Sequence, residues 1–230
     1  NLTRNVLLLA VLVFSGSAGL YAQIITTPPG NGPVVRLSEP RITPLPEVEW
    51  TAEQRALVEK YASQTRIGNG FLTMLRVPAL VDAVMPFVLF TSSETTLSPR
   101  HRELLILRTA WLCQASSIWA DHAPLARTVG ITPLELELIA KGPNAEGWDP
   151  FESSLLSLAD ELFRHSSVRN VTWRELSDRY DLYHLFDAVM VVNEYTLLGM
   201  LYSSWGVQPD ASARARFPET VQYRLELPEP

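Results

Sequence analysis

Cysteine is all but missing from this chain: Cys113 is the single thiol among 230 residues. An internal disulfide is therefore excluded, and no Cys/His cluster has the spacing of a zinc site. Charge is sparse too. Charged residues make up 19% of the chain, the formal net charge is −6, and no long run of Lys or Arg occurs. Nucleic acid is thereby excluded as a partner, because phosphate binding needs a clustered basic surface. No segment shows a convincing strand alternation, and no internal repeat of useful length is present.

What is present is apolar. Hydrophobic residues account for 47% of the chain, the balance of a packed globular protein. A chain of this length can bury a sizeable core without disulfides or metals, and one domain with tails is the expectation. At the N-terminus Arg4 precedes the apolar run Val6 to Phe14, then the small residues Ser15 to Gly19, then Tyr21-Ala22-Gln23. These are the parts of a secretory signal peptide, expected over residues 1–22 with cleavage near Ala22. The apolar run is short for a membrane span, which needs about 20 residues; a retained anchor is the alternative. The protein is accordingly expected to be exported, periplasmic or secreted, with no stable membrane span after cleavage.

Residues 23–49 carry Pro28, Pro29, Pro33, Pro40, Pro44 and Pro46 and read as a Pro-rich arm or linker, part of which can lie against the body. Residues 208–230 return to proline and charge and read as a C-terminal tail. Between them, 50–207, the punctuation is helical. Thr51-Ala-Glu-Gln54, Thr132-Pro-Leu-Glu135, Asp149-Pro-Phe-Glu152 and Thr172-Trp-Arg-Glu175 each set a capping residue three before Glu or Gln. Ser98-Pro99 opens another helix, while Gly130 and Gly142 stand where helices should stop. The expectation is an all-α bundle of about seven to nine helices, over 51–63, 70–76, 78–92, 98–114, 116–129, 132–141, 149–166, 172–180 and 183–204. The last is strongly apolar but carries Asp187, Asn193 and Glu194, so it reads as a core or oligomer-interface helix.

The chemistry concentrates in 98–130. Glu103 is followed by four apolar residues on its helix, so an inward-facing carboxylate there needs a partner or a proton. His122 follows Trp119 by three, which places both on one face if the helix is continuous. Pro124 leaves that open: either it kinks a continuous helix, or Asp121 caps a new one with His122 in its first turn. Each residue also has a plainer reading. A helical Glu is most often a surface ion-pair partner, a single His is usually a hydrogen-bonded residue, and Trp111 and Trp119 are core aromatics by default. Cys113 in an apolar helix is a buried small hydrophobe, and Asp160-Glu161 with Arg164 looks like a solvated face.

This stretch resembles the carboxymuconolactone decarboxylase-like domain, the helical fold shared with AhpD-type alkylhydroperoxidases. The matching residues are Arg102-Glu103, Ile106-Leu107-Arg108, Ala110, Trp119, His122, Ala126, Gly130 and Glu135, with Asp187 to Leu201 resembling the family's last helix. The peroxidase branch uses Cys-x-x-Cys-x-x-x-His, with a Glu twelve residues before the first Cys. Setting that His on His122 places the Glu on Glu103 and the two cysteines on Ala115 and Ile118. The chain thus looks like a member lacking the CxxC pair, without the second thiol that closes the family's disulfide. The decarboxylase branch implies cofactor-free chemistry on a small organic acid or lactone, with His122 as proton donor and Glu103 setting its tautomer or relaying the proton. Trp119, Arg108, Cys113 and Tyr195 are then candidate substrate contacts, with Arg108 alternatively an ion-pair partner of Glu103 or another acid. The resemblance also implies a small-molecule substrate, no cofactor, no metal and a homo-oligomer, a trimer or hexamer. The alternatives are a peroxiredoxin-type oxidoreductase relying on Cys113 with an outside reductant, and a non-catalytic ligand-binding oligomer.

Overall fold

The computed structural model describes residues 37–210, and within them secondary structure is entirely helical. The expected signal segment and most of the C-terminal tail lie outside the described residues. Nine α-helices follow in order: α1 (Ala52–Tyr61), α2 (Asn69–Met74), α3 (Pro78–Leu89), α4 (Pro99–Leu112), α5 (Ser116–Thr128), α6 (Pro133–Lys141), α7 (Pro150–His165), α8 (Asn170–Ser177) and α9 (Leu182–Trp205). A π-helical turn, Phe90–Glu94, extends α3. Pro86 lies inside α3, where it removes one ladder bond shortly before the helix widens.

Local chemistry explains most of the boundaries. Thr51 with Gln54, and Thr132 with Glu135, form reciprocal capping boxes. Ser98 accepts from the His101 N–H, and Asp149 from those of Phe151 and Glu152. The fourth box differs from its expectation. Helix α8 begins two residues earlier, at Asn170, so Thr172 is an interior residue; it is buried and its hydroxyl donates to Glu161 at 2.7 Å. Glu161 also accepts from the Arg169 backbone N–H and guanidinium, at 2.7 and 2.6 Å. The Asp160–Glu161 pair is therefore not a solvated face: a buried carboxylate ties the start of α8 to α7 instead.

Helix α4 is the centre of the body. Every residue from Glu103 to Ala110 is buried, because α5, α7 and α9 pack around it. Its main apolar cluster joins Leu104, Leu105, Ile106 and Leu107 to residues of α5, α7 and α9. A smaller cluster gathers Leu45, Leu57, Tyr61, Phe71, Met74, Leu75, Val81 and Met85. Part of the Pro-rich stretch belongs to this body: Leu45 is buried and its N–H donates to the Leu72 carbonyl at 3.0 Å.

The junction of α4 and α5 sets the site. The Ala115 N–H bonds the Ala110 carbonyl at 2.9 Å and the Gln114 N–H bonds Trp111 at 3.0 Å, the paired bonds of a Schellman ending. Gln114 supplies the left-handed residue (φ 55°) usually given by glycine. Gly130 and Gly142 do the same at φ +88° and +103° after α5 and α6. Helix α5 then runs unbroken past Pro124, so the alternative of a new helix capped by Asp121 does not hold. The Asp121 carboxylate is engaged by Arg66 instead.

Candidate functional site

A cavity of about 310 Å³ lies where the two apolar clusters meet. Met74 and Met85 line it from the smaller cluster's side, and Ile106, Ile118 and Leu198 from the larger one's. Such a volume is at the lower end of small-molecule sites.

Glu103 reaches the cavity from α4 and is only 2% exposed. Its Oε2 lies 2.9 Å from His122 Nδ1, projected from α5. Tyr195, from α9, places its hydroxyl 3.1 Å from His122 Nε2, with the phenol ring edge-on to the imidazole at a centroid distance of 5.1 Å. In the neutral imidazole the carboxylate fixes the proton on Nδ1, leaving Nε2 to accept from the phenol. Three helices thus contribute one chain of hydrogen bonds, Glu103–His122–Tyr195, at the cavity wall. Burial, reinforced by the nearby Glu194 and Glu103 carboxylates, raises the Tyr195 hydroxyl well above the usual phenol range. It therefore remains a donor and does not serve as a base.

Arg102 also lines the cavity. Its guanidinium donates to the Ser92 carbonyl in the π-helical turn and lies 3.9 Å from Glu103 Oε1. At the rim Arg66 bridges the carboxylates of Asp121 and Asp210. Burial raises the Asp121 carboxyl, with Arg66 acting in the opposite direction.

Three of the residues expected to contact a substrate stand elsewhere. Trp119 is not on the cavity wall; it is 3% exposed and packs edge-on against Trp111, at 6.0 Å between centroids. The burial of a large aromatic decides its direction. Arg108 is 4% exposed and is consumed by Asp160, at 2.5 and 2.9 Å, and by the carbonyls of Ile139 and Ala140. It ties α4 to α6 and α7 and is not among the residues that line the cavity. Cys113 packs against Gly199, where any added Cβ would fall 2.6 Å from its own. Burial pushes its thiol up to about 12, the opposite of what a reactive cysteine needs. Ala115 and Ile118 occupy the two places where the resemblance would put sulfur, and both are buried.

Two further residues were not expected near the site, Glu194 having been noted only as a polar break in the last helix. Tyr202 lines the cavity two helical turns beyond Tyr195. Its ring lies over Gly70, where a side chain would collide with it. Glu194 is fully buried; its Oε2 bonds the Thr91 hydroxyl, while Oε1 has no partner among the described residues.

No family model matches this chain, and no curated protein does. Several solved structures are similar. A variant of the debrominase Bmp8 in complex with 2,3,4-tribromopyrrole aligns with a TM-score of 0.63 at 14% identity, over 77% of this chain and 96% of that one. An alkylhydroperoxidase AhpD core, an uncharacterized peroxidase-related protein from Ralstonia eutropha JMP134, aligns with a TM-score of 0.63 at 17% identity, over 79% and 95%. An uncharacterized peroxidase-related protein from Silicibacter sp. TM1040 gives 0.62 at 16% identity, over 84% and 100%. At these identities the likeness establishes the fold: the chain has the all-helical AhpD-like architecture that its sequence resembles. Reaction chemistry does not transfer with it.

Proposed function

We propose that this is a carboxymuconolactone decarboxylase-like protein, a cofactor-independent lyase or isomerase that moves a proton on a small organic acid or lactone. The observation that carries the reading is the Glu103–His122–Tyr195 chain, with spacings of 2.9 and 3.1 Å, on the wall of one cavity.

The chemistry follows from which group holds which proton. An entering substrate carbonyl takes the Tyr195 O–H hydrogen bond, which frees His122 Nε2. The proton of the adjacent C–H passes to Nε2, and the C–H electron pair becomes an enolate whose oxygen stays bonded to the Tyr195 hydroxyl. Glu103 stabilises the resulting imidazolium through Nδ1–H. Return of the proton to a different carbon isomerises the substrate. In a carboxylic acid substrate Nε2 takes the carboxyl proton, the C–C pair left by departing CO₂ forms the same enolate, and the imidazolium returns that proton from Nε2 to carbon. Glu103 keeps the proton on Nδ1 throughout, so that Nε2 is the nitrogen that gains and returns a proton.

A thiol-based peroxidase is the weaker alternative, since Cys113 lies away from the cavity with its thiol held protonated by burial. A non-catalytic binding role is favoured by one observation: the Tyr195 hydroxyl already satisfies Nε2.

Proton exchange at carbon separates these readings. The protein is incubated in D₂O with a panel of γ- and δ-lactones and methyl ketones, and α-deuteration is followed by NMR. Exchange above the buffer rate should appear and should fall about 10²–10⁴-fold in His122→Ala, with smaller losses in Glu103→Gln and Tyr195→Phe. Exchange at the buffer rate throughout the panel, or exchange indifferent to His122, would overturn the acid–base reading. Two further expectations remain proposals of the same kind: export from the cytoplasm, and assembly into a trimer or hexamer.

A further inference from the structure

The cavity's charge and the placement of its two phenols speak to what it accepts. Its described lining holds Arg66 and Arg102 against Glu103, Asp121 and Asp210. Both arginines already face counter-charges, Arg66 with two aspartates and Arg102 beside Glu103. An anionic ligand would therefore enter a site whose lining is net negative and whose two cations each already face a carboxylate.

Helix α9 supplies the second observation. Tyr195, Leu198 and Tyr202 fall at i, i+3 and i+7 on one face, and all three line the cavity. The seven-residue separation sets the two phenols about 10 Å apart along the helix axis, with the Leu198 side chain between them. The Tyr195 hydroxyl is committed to His122. The Tyr202 hydroxyl makes no hydrogen bond with any described residue, although burial raises it above the usual phenol range. A hydroxyl on the cavity wall with no protein partner is free to bond a ligand atom. The place where its ring rests, over Gly70, is clear only because glycine has no side chain.

We infer that the site takes an uncharged substrate with an apolar middle, whose reacting carbonyl meets Tyr195 and His122 while a second oxygen at its far end hydrogen-bonds Tyr202. This rests on the acid–base reading for the end that reacts, and narrows the substrate class to neutral lactones or carbonyl compounds. Tyr202 is then a residue that determines specificity, touching the substrate away from the bond that changes.

Three naphthalenes of one skeleton test it by fluorescence titration of the full chain. 6-Acetyl-2-naphthol carries both oxygens, 2-acetylnaphthalene lacks the far hydroxyl, and 6-hydroxy-2-naphthoate replaces the ketone by an anion. The neutral naphthol should bind about tenfold or more tightly than the naphthoate. It should also bind roughly fivefold more tightly than 2-acetylnaphthalene in the wild type, and this second advantage should vanish in Tyr202→Phe. Tighter binding of the naphthoate, an equal effect of Tyr202→Phe on both neutral probes, or no binding of any probe would overturn the inference. Failure of the acid–base reading has a different signature. The acetyl protons of bound 2-acetylnaphthalene would then not exchange with D₂O, while the order of affinities would stand.

Discussion

Replacing Glu194 by Gln should make the protein more stable at neutral and alkaline pH, and the size of the gain can be worked from the structure. The Glu194 carboxyl is fully buried, and its environment raises it from 4.5 to about 8, chiefly by desolvation, with the Thr91 hydrogen bond acting the other way. The protonated O–H at Oε2 can donate to the Thr91 hydroxyl, which itself reaches the carbonyls of Phe87 and Val88, at 3.2 and 3.1 Å. The titratable neighbours are Tyr195 and Tyr202, both raised by burial and so uncharged through this range. Between pH 4.5 and 8 the folded chain thus keeps a proton that the unfolded chain has released. Stability falls as pH rises through that window, by about 1.4 kcal/mol per pH unit, and levels off above the folded value. The full span is on the order of 5 kcal/mol. A Gln amide keeps the shape and the bond to Thr91 but cannot ionise. Urea unfolding of the wild type and Glu194→Gln from pH 4 to 9 reads the difference, and groups common to both chains cancel. The two should be nearly equal at pH 4 and diverge steadily to pH 8. Parallel curves, or a variant less stable than wild type at pH 8, would refute a neutral buried carboxyl at this position.

Three other perturbations address residues the site does not use, or the surface around it. Cys113 should react with a disulfide reagent far more slowly in the native chain at pH 7 than after unfolding, and Cys113→Ala should leave proton exchange within about twofold, since burial keeps the thiol protonated; rapid stoichiometric labelling of the folded protein would contradict this. Arg108→Met should cost about 3–5 kcal/mol in urea unfolding, by leaving the Asp160 carboxylate without its main partner, yet leave the affinity of the naphthol probe unchanged. A loss under about 1 kcal/mol would show that the pair matters little. Along α9, Phe186, Met190, Asn193, Leu197 and Met200 follow a 4-3-4-3 spacing, and Phe186, Leu197 and Met200 are 62%, 43% and 55% exposed, which is the pattern of a helix seam with one polar position. Sedimentation should give an oligomer for the wild type and smaller species for Leu197→Glu; a monomeric wild type would remove the argument.

The helices were legible because their ends are written in local chemistry. Thr51, Ser98, Thr132 and Asp149 each meet an orphan N–H within three residues, and such bonds form wherever the rest of the chain goes. Thr172 fits the same pattern but fails as a cap, because Glu161 lies eleven residues upstream and captures its hydroxyl from the neighbouring helix. The local rule lost to a tertiary partner invisible in the spacing. Helix α9 shows the same division. By length and composition it could cross a membrane, but Asp187 accepts from Thr96, at 2.6 Å from the N–H and 2.7 Å from the hydroxyl, and so clamps the segment leading into α4.

At the site, the residues that sequence brought together were those whose polarity was out of place: a carboxylate before four apolar residues, and an imidazole on an amphipathic helix. Glu103 and His122 do meet. Trp119, Arg108 and Cys113 were candidates through the family resemblance and their place in the same stretch, and a place on consecutive helices does not fix direction. Trp119 turns to Trp111, Arg108 to Asp160 and Cys113 to Gly199, each towards the neighbour that best satisfies its own burial or charge. Tyr202 carried a usable signal that spacing could have supplied: it follows Tyr195 by seven, so one phenol on the cavity implies the other on the same face. Glu194 carried none. A buried acid in an apolar helix is equally consistent with an ion pair or a neutral hydrogen bond, and only the position of Thr91, more than a hundred residues earlier, decides between them.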